Sequence, residues 1–253
     1  MAALLYHNVG AQLPGTYPSL TVPAARFSRQ MEALARRGYT GISARDWLRA
    51  AQDGALPPRS VILTFDDGYQ ELAQHAFPVL QKHGFTATVF VVTALMGGED
   101  EWLRREGKSP QGLLDEGQIR HWAERGIEFG AHSATHADLT KLPPAALAEE
   151  VGGSRRALES VLQARVQCFA YPYGFYNRDV VESVGREFEV AFTVEEGMNT
   201  TTTPRYQLRR TMVQPRDSAL GVWLRAANGR HPLQALRARL SRTKKRLLGE
   251  QDA

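Results

Sequence analysis

Short apolar runs alternate with segments of helical period along most of the chain, the signature of parallel strands joined by crossover helices. Leu4-Leu5-Tyr6 is the first strand candidate. Phe27, Met31 and Leu34 recur at i, i+4 and i+7 and Gly38 follows, which predicts an amphipathic helix over 24–37. Val61-Ile62-Leu63-Thr64-Phe65 is apolar on both faces, as a strand covered on both sides must be. A helix over 70–83 follows, with a kink or a late start at Pro78, and then a β-branched strand over 86–92. Residues 97–114 lack a period and hold many turn formers, so they predict a long surface excursion, a kind of loop often given to function.

Beyond it, Asp115 caps a helix to about Arg125, and Ile127–Ala131 is a strand. The pattern continues with a helix over 143–163, a strand over 166–171, a helix over 178–188 and strands over 190–194 and 206–213. At the end, Leu233, Leu236 and Leu240 share one side of a basic segment over 232–248. Neither an internal repeat nor a Pro/Ser/Gly linker interrupts the series. The expected organisation is therefore one α/β domain over 1–229 and a basic amphipathic tail over 230–253.

Composition changes this picture in three places. The single cysteine, Cys168, has no intrachain partner and lies within a predicted strand, so it reads as core and stability must come from packing. The formal charge of +4 belongs to the tail: residues 1–229 are net −1 and 230–253 net +5. The body thus lacks the basic face of a nucleic-acid binder, whereas the tail fits peripheral contact with an anionic membrane. No apolar run approaches the roughly 20 residues of a membrane span, and the first residues do not resemble a signal peptide, so a cytoplasmic location is expected.

Three polar clusters each follow a predicted strand, where parallel sheets and barrels build their active sites. Thr64-Phe65-Asp66-Asp67-Gly68 sets two adjacent carboxylates pointing in different directions, one able to bind a metal while the other faces a substrate. His132-Ser133-Ala134-Thr135-His136 spaces two imidazoles by four, on one side of a helical turn or tight loop. Two histidines and a carboxylate leave a zinc ion an open position for water. Tyr171-Pro172-Tyr173-Gly174 is a rigid turn whose free N–H can face a developing oxyanion.

In this order the clusters resemble the polysaccharide deacetylase family, the NodB-homology enzymes of carbohydrate esterase family 4, over roughly residues 60–210. The resemblance implies a distorted (β/α) barrel of about seven parallel strands, similar to a TIM barrel, and removal of acetyl groups from sugar polymers with a divalent metal. It implies Asp66 as general base, Asp67, His132 and His136 as metal ligands, and the Tyr173 N–H as oxyanion donor. The metal would be Zn²⁺, with Co²⁺, Ni²⁺, Fe²⁺ or Mn²⁺ as substitutes. Two departures stand out. Ala170 occupies the position where many members carry an arginine that tunes the base, and Arg209 or Arg210 can supply that charge. The usual late Leu-x-Leu-His strand is also missing, since the only histidine after 136 is His231, in Gly-Arg-His-Pro.

His7 ends the first apolar run, and a circularly permuted subgroup that deacetylates poly-N-acetylglucosamine begins with a similar Tyr-His strand. First and last strands of a barrel are neighbours, so His7 is the expected catalytic acid. The expected substrate is an N-acetylhexosamine-containing glycan or glycan precursor. Two alternatives are a hydrolase of non-sugar amides on the same fold and a catalytically silent glycan-binding module. His75, His83 and His121 fall in or at the ends of helical segments and read as surface residues, and no GxSxG supports a serine esterase.

Overall fold

The computed structural model describes residues 1–54 and 56–230. β1 (Ala3–Tyr6) leads into β2 (Asn8–Gly10), which pairs in parallel with β3 (Thr21–Pro23) as a small separate sheet. Helix α1 (Ala24–Arg36) buries Phe27, Met31 and Leu34, the expected stripe. β4 (Thr40–Ile42) and α2 (Ala44–Gln52) follow, neither foreseen from hydrophobic period. A capping box starts α2: the Ser43 side chain accepts from the Asp46 N–H while Asp46 accepts from the Ser43 N–H.

β5 (Ser60–Phe65) is buried at every residue. The interruption expected at Pro78 divides 70–83 into α3 (Leu72–His75) and α4 (Phe77–Lys82), broken at Ala76 because Pro78 cannot continue the preceding turn. β6 (Thr88–Val91) precedes the 97–114 excursion, which is more ordered than its composition suggests. It contains α5 (Glu101–Arg105), which buries Trp102 and Leu103, and bridges join Glu99 to Gly112 and Tyr69 to Leu113. A five-residue helix is too short to show a period.

Asp115 caps α6 (Glu116–Ala123) in a second capping box, with Gln118, and β7 (Glu128–Ala131) follows. The helix expected over 143–163 is α7 (Pro144–Ala148) and α8 (Ser154–Leu162), joined by a π-turn over Glu149–Gly153. β8 (Cys168–Ala170), α9 (Arg178–Glu187) and β9 (Val190–Phe192) come next, then β10 (Thr211–Met212) and α10 (Ala219–Asn228). The strand expected over 206–213 thus shrinks to β10, with Leu208 alone bridging to Phe192. The basic helix expected over 232–248 and His231 lie outside the described residues. Among the described residues no helix is long and apolar enough to cross a membrane.

The main sheet is parallel, in the order β10-β1-β5-β6-β7-β8-β9, with β4 also on β5. The Leu208 N–H donates to Ala191 O at 2.9 Å and the Thr193 N–H to Leu208 O at 2.8 Å, while Leu4 of β1 pairs with Thr211. Residues 208–212 therefore lead from the last strand of the sheet back to β1 and curl it into a distorted (β/α) barrel. Helices cover the outside, burying a core that includes Phe27, Phe65, Phe77 and Phe169. Register then places the chemistry. Tyr6 lies opposite Phe65, so the next residues, His7 and Asp66, leave neighbouring strands side by side, with the Asp66 N–H on Tyr6 O at 3.0 Å.

Candidate active site

A cavity of about 310 Å³ opens at the C-terminal ends of the strands and is lined by His7, Asp66, Asp67, His132, His136 and Tyr173, among others. Residues expected from four separate places in the chain thus meet in one cleft. Arg210 stands behind it, fully buried, against Asp66.

Asp66 and Asp67 leave β5 in different directions because Asp67 (φ 72°) and Gly68 (φ 77°) take left-handed backbone. At Gly68 a Cβ would stand 2.8 Å from Val91 Cγ1, so the turn tolerates no side chain there. Arg210 grips Asp66 with both ends of its guanidinium, Nη1 on Oδ1 at 2.6 Å and Nη2 on Oδ2 at 2.8 Å. Its Nε donates to Thr193 O at 2.9 Å, and the cation lies over Phe90 and Phe192. Burial alone would raise the Asp66 carboxyl, but the attraction of Arg210 overrides it and holds Asp66 below the usual carboxylate range. Of the two arginines considered for this role, the structure brings Arg210 to the site; the Arg209 N–H instead bonds Asn199 Oδ1.

Asp67 faces the two histidines, its Oδ1 3.6 Å from His132 Nε2 and 3.5 Å from His136 Nε2. The histidines sit on a tight loop, the second of the two forms that their spacing allowed, with Ser133 and His136 both at φ 61°. Ser133 Oγ accepts from the His136 N–H at 3.0 Å. His132 Nδ1 is fixed by Ala170 O at 2.8 Å, which turns Nε2 toward Asp67, as the second bond of a metal-ligating imidazole does.

These three residues fit a divalent cation. Donors at roughly 2.0–2.1 Å around a tetrahedral zinc stand about 3.3 Å apart, close to the spacing seen here. All three side chains are buried. Burial pushes Asp67 well up, reinforced by Asp66 and Asp100, and pushes both imidazoles down, so the site lacks the positive charge that would satisfy it. His136 is clamped by rings, stacked on Trp102 at 4.2 Å and edge-on to Tyr173 at 4.5 Å.

Tyr173 carries left-handed backbone (φ 58°, ψ 0°) in its short helical turn. Gly174 and Phe175 donate to Tyr171 and Pro172, while the Tyr173 N–H meets no backbone carbonyl of the described residues. His7 is half-buried at the end of β1; burial pushes its imidazole down to about 4, against the pull of Asp66.

Several contributors were not legible in the sequence. Glu150, on the π-turn, accepts from the Ala134 and Thr135 N–H groups at 3.0 Å each and from Thr135 Oγ1 at 2.7 Å, bracing the histidine loop. Nothing in its local pattern announces that. Trp102 and Glu106 reach the cavity from the 97–114 excursion, and Tyr17 from the 11–20 loop, with Tyr17 Oη donating to Glu106 Oε2 at 2.7 Å. Length alone had marked that excursion.

Residues 53–192 match the family described as Polysaccharide deacetylase. The Bacillus subtilis protein YxkH, named for the polysaccharide deacetylases, is 28% identical over 225 residues, covering 87% of this chain and 75% of its own length. A Staphylococcus aureus protein named poly-beta-1,6-N-acetyl-D-glucosamine N-deacetylase is 24% identical, covering 83% and 73%. Among solved structures, the Streptococcus pyogenes deacetylase PplD, in complex with acetate, superposes with a TM-score of 0.78 at 25% identity, over 88% of this chain and 96% of that one. IcaB from Ammonifex degensii shares the fold, with a TM-score of 0.72 at 23% identity over 89% and 95%.

Proposed function

The chain belongs to the polysaccharide deacetylase family, and from that premise we propose that it is a metal-dependent deacetylase removing N-acetyl groups from an N-acetylhexosamine-containing glycan or glycan precursor. The observation that carries this reading is the open Asp67–His132–His136 cluster beside an Asp66 locked by Arg210, with His7 lining the same cavity. The S. aureus relative named for poly-β-1,6-N-acetyl-D-glucosamine supports the sugar class.

Asp67, His132 and His136 would hold the ion, Zn²⁺ first by the nitrogen and oxygen donor set. When bound, it supplies Lewis-acid polarisation of the acetyl carbonyl and brings the pKa of water toward about 7. Asp66, kept ionised by Arg210, takes a proton from the attacking water. The Tyr173 N–H donates to the negative charge that develops on the acetyl carbonyl oxygen. His7 delivers a proton to the leaving nitrogen as the C–N bond breaks. Its free imidazole is neutral above about pH 4, so that proton arrives during turnover, with neighbouring Asp66 as its source. One water is consumed and acetate and a free amine are released.

Acetate release by mass spectrometry across a panel of N-acetylated glycans and small non-sugar amides, before and after chelation, tests the reading. Activity on the glycans that chelation abolishes and added metal restores is the expected result. Full activity in a metal-free sample overturns the metal assignment, turnover of small amides alone overturns the substrate class, and release from no glycan overturns the deacetylase reading. His132→Ala and His136→Ala should lose metal and activity together, whereas Asp66→Asn should keep the metal and lose turnover.

A further inference from the structure

Three of the few large apolar side chains left exposed lie together beside the cavity. Tyr173, Phe175 and Val194 are 42%, 52% and 41% exposed. Tyr173 and Val194 line the cavity mouth, while Phe175 stands just beyond it. The Tyr173 and Phe175 rings stack at 5.7 Å with 30° between their planes. The turn beneath them is pressed onto Val194: a Cβ on Gly174 would meet Val194 Cγ2 at 2.3 Å, so the three side chains form one continuous face.

That face is held rigid from behind. Tyr176, the next residue, stacks on Tyr171 at 5.2 Å and donates its hydroxyl to Glu195 Oε1 at 2.6 Å. Tyr171 Oη in turn donates to Tyr206 O at 2.9 Å. Tyr173 accepts left-handed backbone, which is strained for a residue with a Cβ, in the turn that sets both rings outward. A strained, pre-ordered pair of aromatic rings exposed to water is poor economy for stability, and such surfaces at a cleft mouth mark binding.

Resting on the deacetylase reading of the cavity, we propose that Tyr173, Phe175 and Val194 form a second sugar subsite, on which the ring next to the one being deacetylated stacks by its apolar face. Phe175 is its outer platform. The protein therefore prefers an oligomer or polymer to a single N-acetylhexosamine. Stacking fits a pyranose because its axial C–H groups present a flat apolar surface to a ring while its equatorial hydroxyls remain in water. Charge favours a neutral or amine-bearing sugar over an anionic bilayer, since Glu106 lines the same cavity and Glu195 stands behind the face, bonded to Tyr176 Oη.

The test measures kcat/KM for acetate release from N-acetylglucosamine and from its dimer and trimer, using the metal-loaded full chain and its Phe175→Ala and Phe175→Tyr variants. Wild type should gain with chain length, and Phe175→Ala should lower the trimer-to-monomer ratio on the order of tenfold, through KM, while Phe175→Tyr restores it. A wild-type gain that Phe175→Ala leaves intact overturns the subsite, as does an equal loss on all three sugars. A wild type that shows no gain with length overturns it too. Acetate release from none of the sugars by wild type is instead the failure of the deacetylase reading and takes the subsite with it. Cosedimentation with anionic vesicles that Phe175→Ala abolishes, together with an unaltered ratio, assigns the face to a membrane and overturns the sugar.

Discussion

Replacing Arg210 by methionine removes the positive charge that is bonded to Asp66 among the described residues and leaves the carboxylate otherwise enclosed. Both partners are buried, at 0% and 4% side-chain exposure, so water cannot take over the two charge-assisted bonds at 2.6 and 2.8 Å. Breaking a pair of this kind from one side costs about 3–5 kcal/mol, because the remaining charge is stranded. At roughly 2–4 °C per kcal/mol for a domain of this size, the melting temperature should fall by about 6–20 °C. Asp66 should also lose its depression. In wild type its lowered pKa stabilises the fold above the unfolded carboxylate range, and that contribution fades as pH falls through the native value. In Arg210→Met the acid limb of the kcat/KM profile should therefore move to higher pH. The decisive comparison is with Asp66→Asn/Arg210→Met, in which neither charge remains: it should be more stable than Arg210→Met although, without its base, it loses turnover. Calorimetry on the four proteins of this cycle reads the outcome. If the double variant is no more stable than Arg210→Met, the penalty is lost packing over Phe90 and Phe192, and the argument from a stranded charge fails.

His7→Ala should keep metal content and fold while lowering kcat on amides about 10²- to 10⁴-fold, with a smaller loss on an activated aryl acetate whose leaving group needs no proton; equal proportional losses would make His7 structural. Glu150→Ala should weaken metal binding about 10- to 100-fold by releasing the histidine loop, as read by Co²⁺ titration, and unchanged affinity would refute its bracing role. Glu128, buried and accepting from Thr88 Oγ1 and the Arg45 N–H, is raised by burial. Its contribution is present below the unfolded value and lost as pH rises through the folded one, so Glu128→Gln should gain stability over wild type from pH 4 to pH 8 in urea titrations; a difference constant with pH contradicts this.

What could be read in advance follows from what leaves a trace in local pattern. β5 announces itself because both faces are covered, and α1 because one is. The motif residues announce themselves because chemistry needs rare types at fixed spacing. By contrast, β4 and α2 hide: three strand residues show no alternation, and the signal that starts α2, Ser43 with Asp46, is a cap rather than a period. The choice between Arg209 and Arg210 was open because both follow Leu208, and only the turn from β9 to β1 decides which one enters the barrel. Glu150 was invisible for a deeper reason. Its contacts lie 15 and 16 residues away, across a π-turn that no side-chain pattern encodes.

The position of the first strand sets the timing of the whole assembly. β1 lies between β5 and β10, and Met1 O accepts from the Asn199 N–H at 2.7 Å, so residues 1–6 bind partners that follow them by about 60 and by about 200 positions. At roughly 5–20 residues per second, β1 waits on the order of 10–40 s after its own emergence for Thr211 and Met212. Until then β1 lacks its second neighbour, an apolar strand edge is open, and His7 and Arg210 cannot both stand beside Asp66. Folding is therefore governed by its least local contact, a slow and aggregation-exposed regime. Stalled or truncated chains should be substrates for chaperones and proteases rather than partial enzymes, because the step that closes the barrel is also the step that creates its reactive centre.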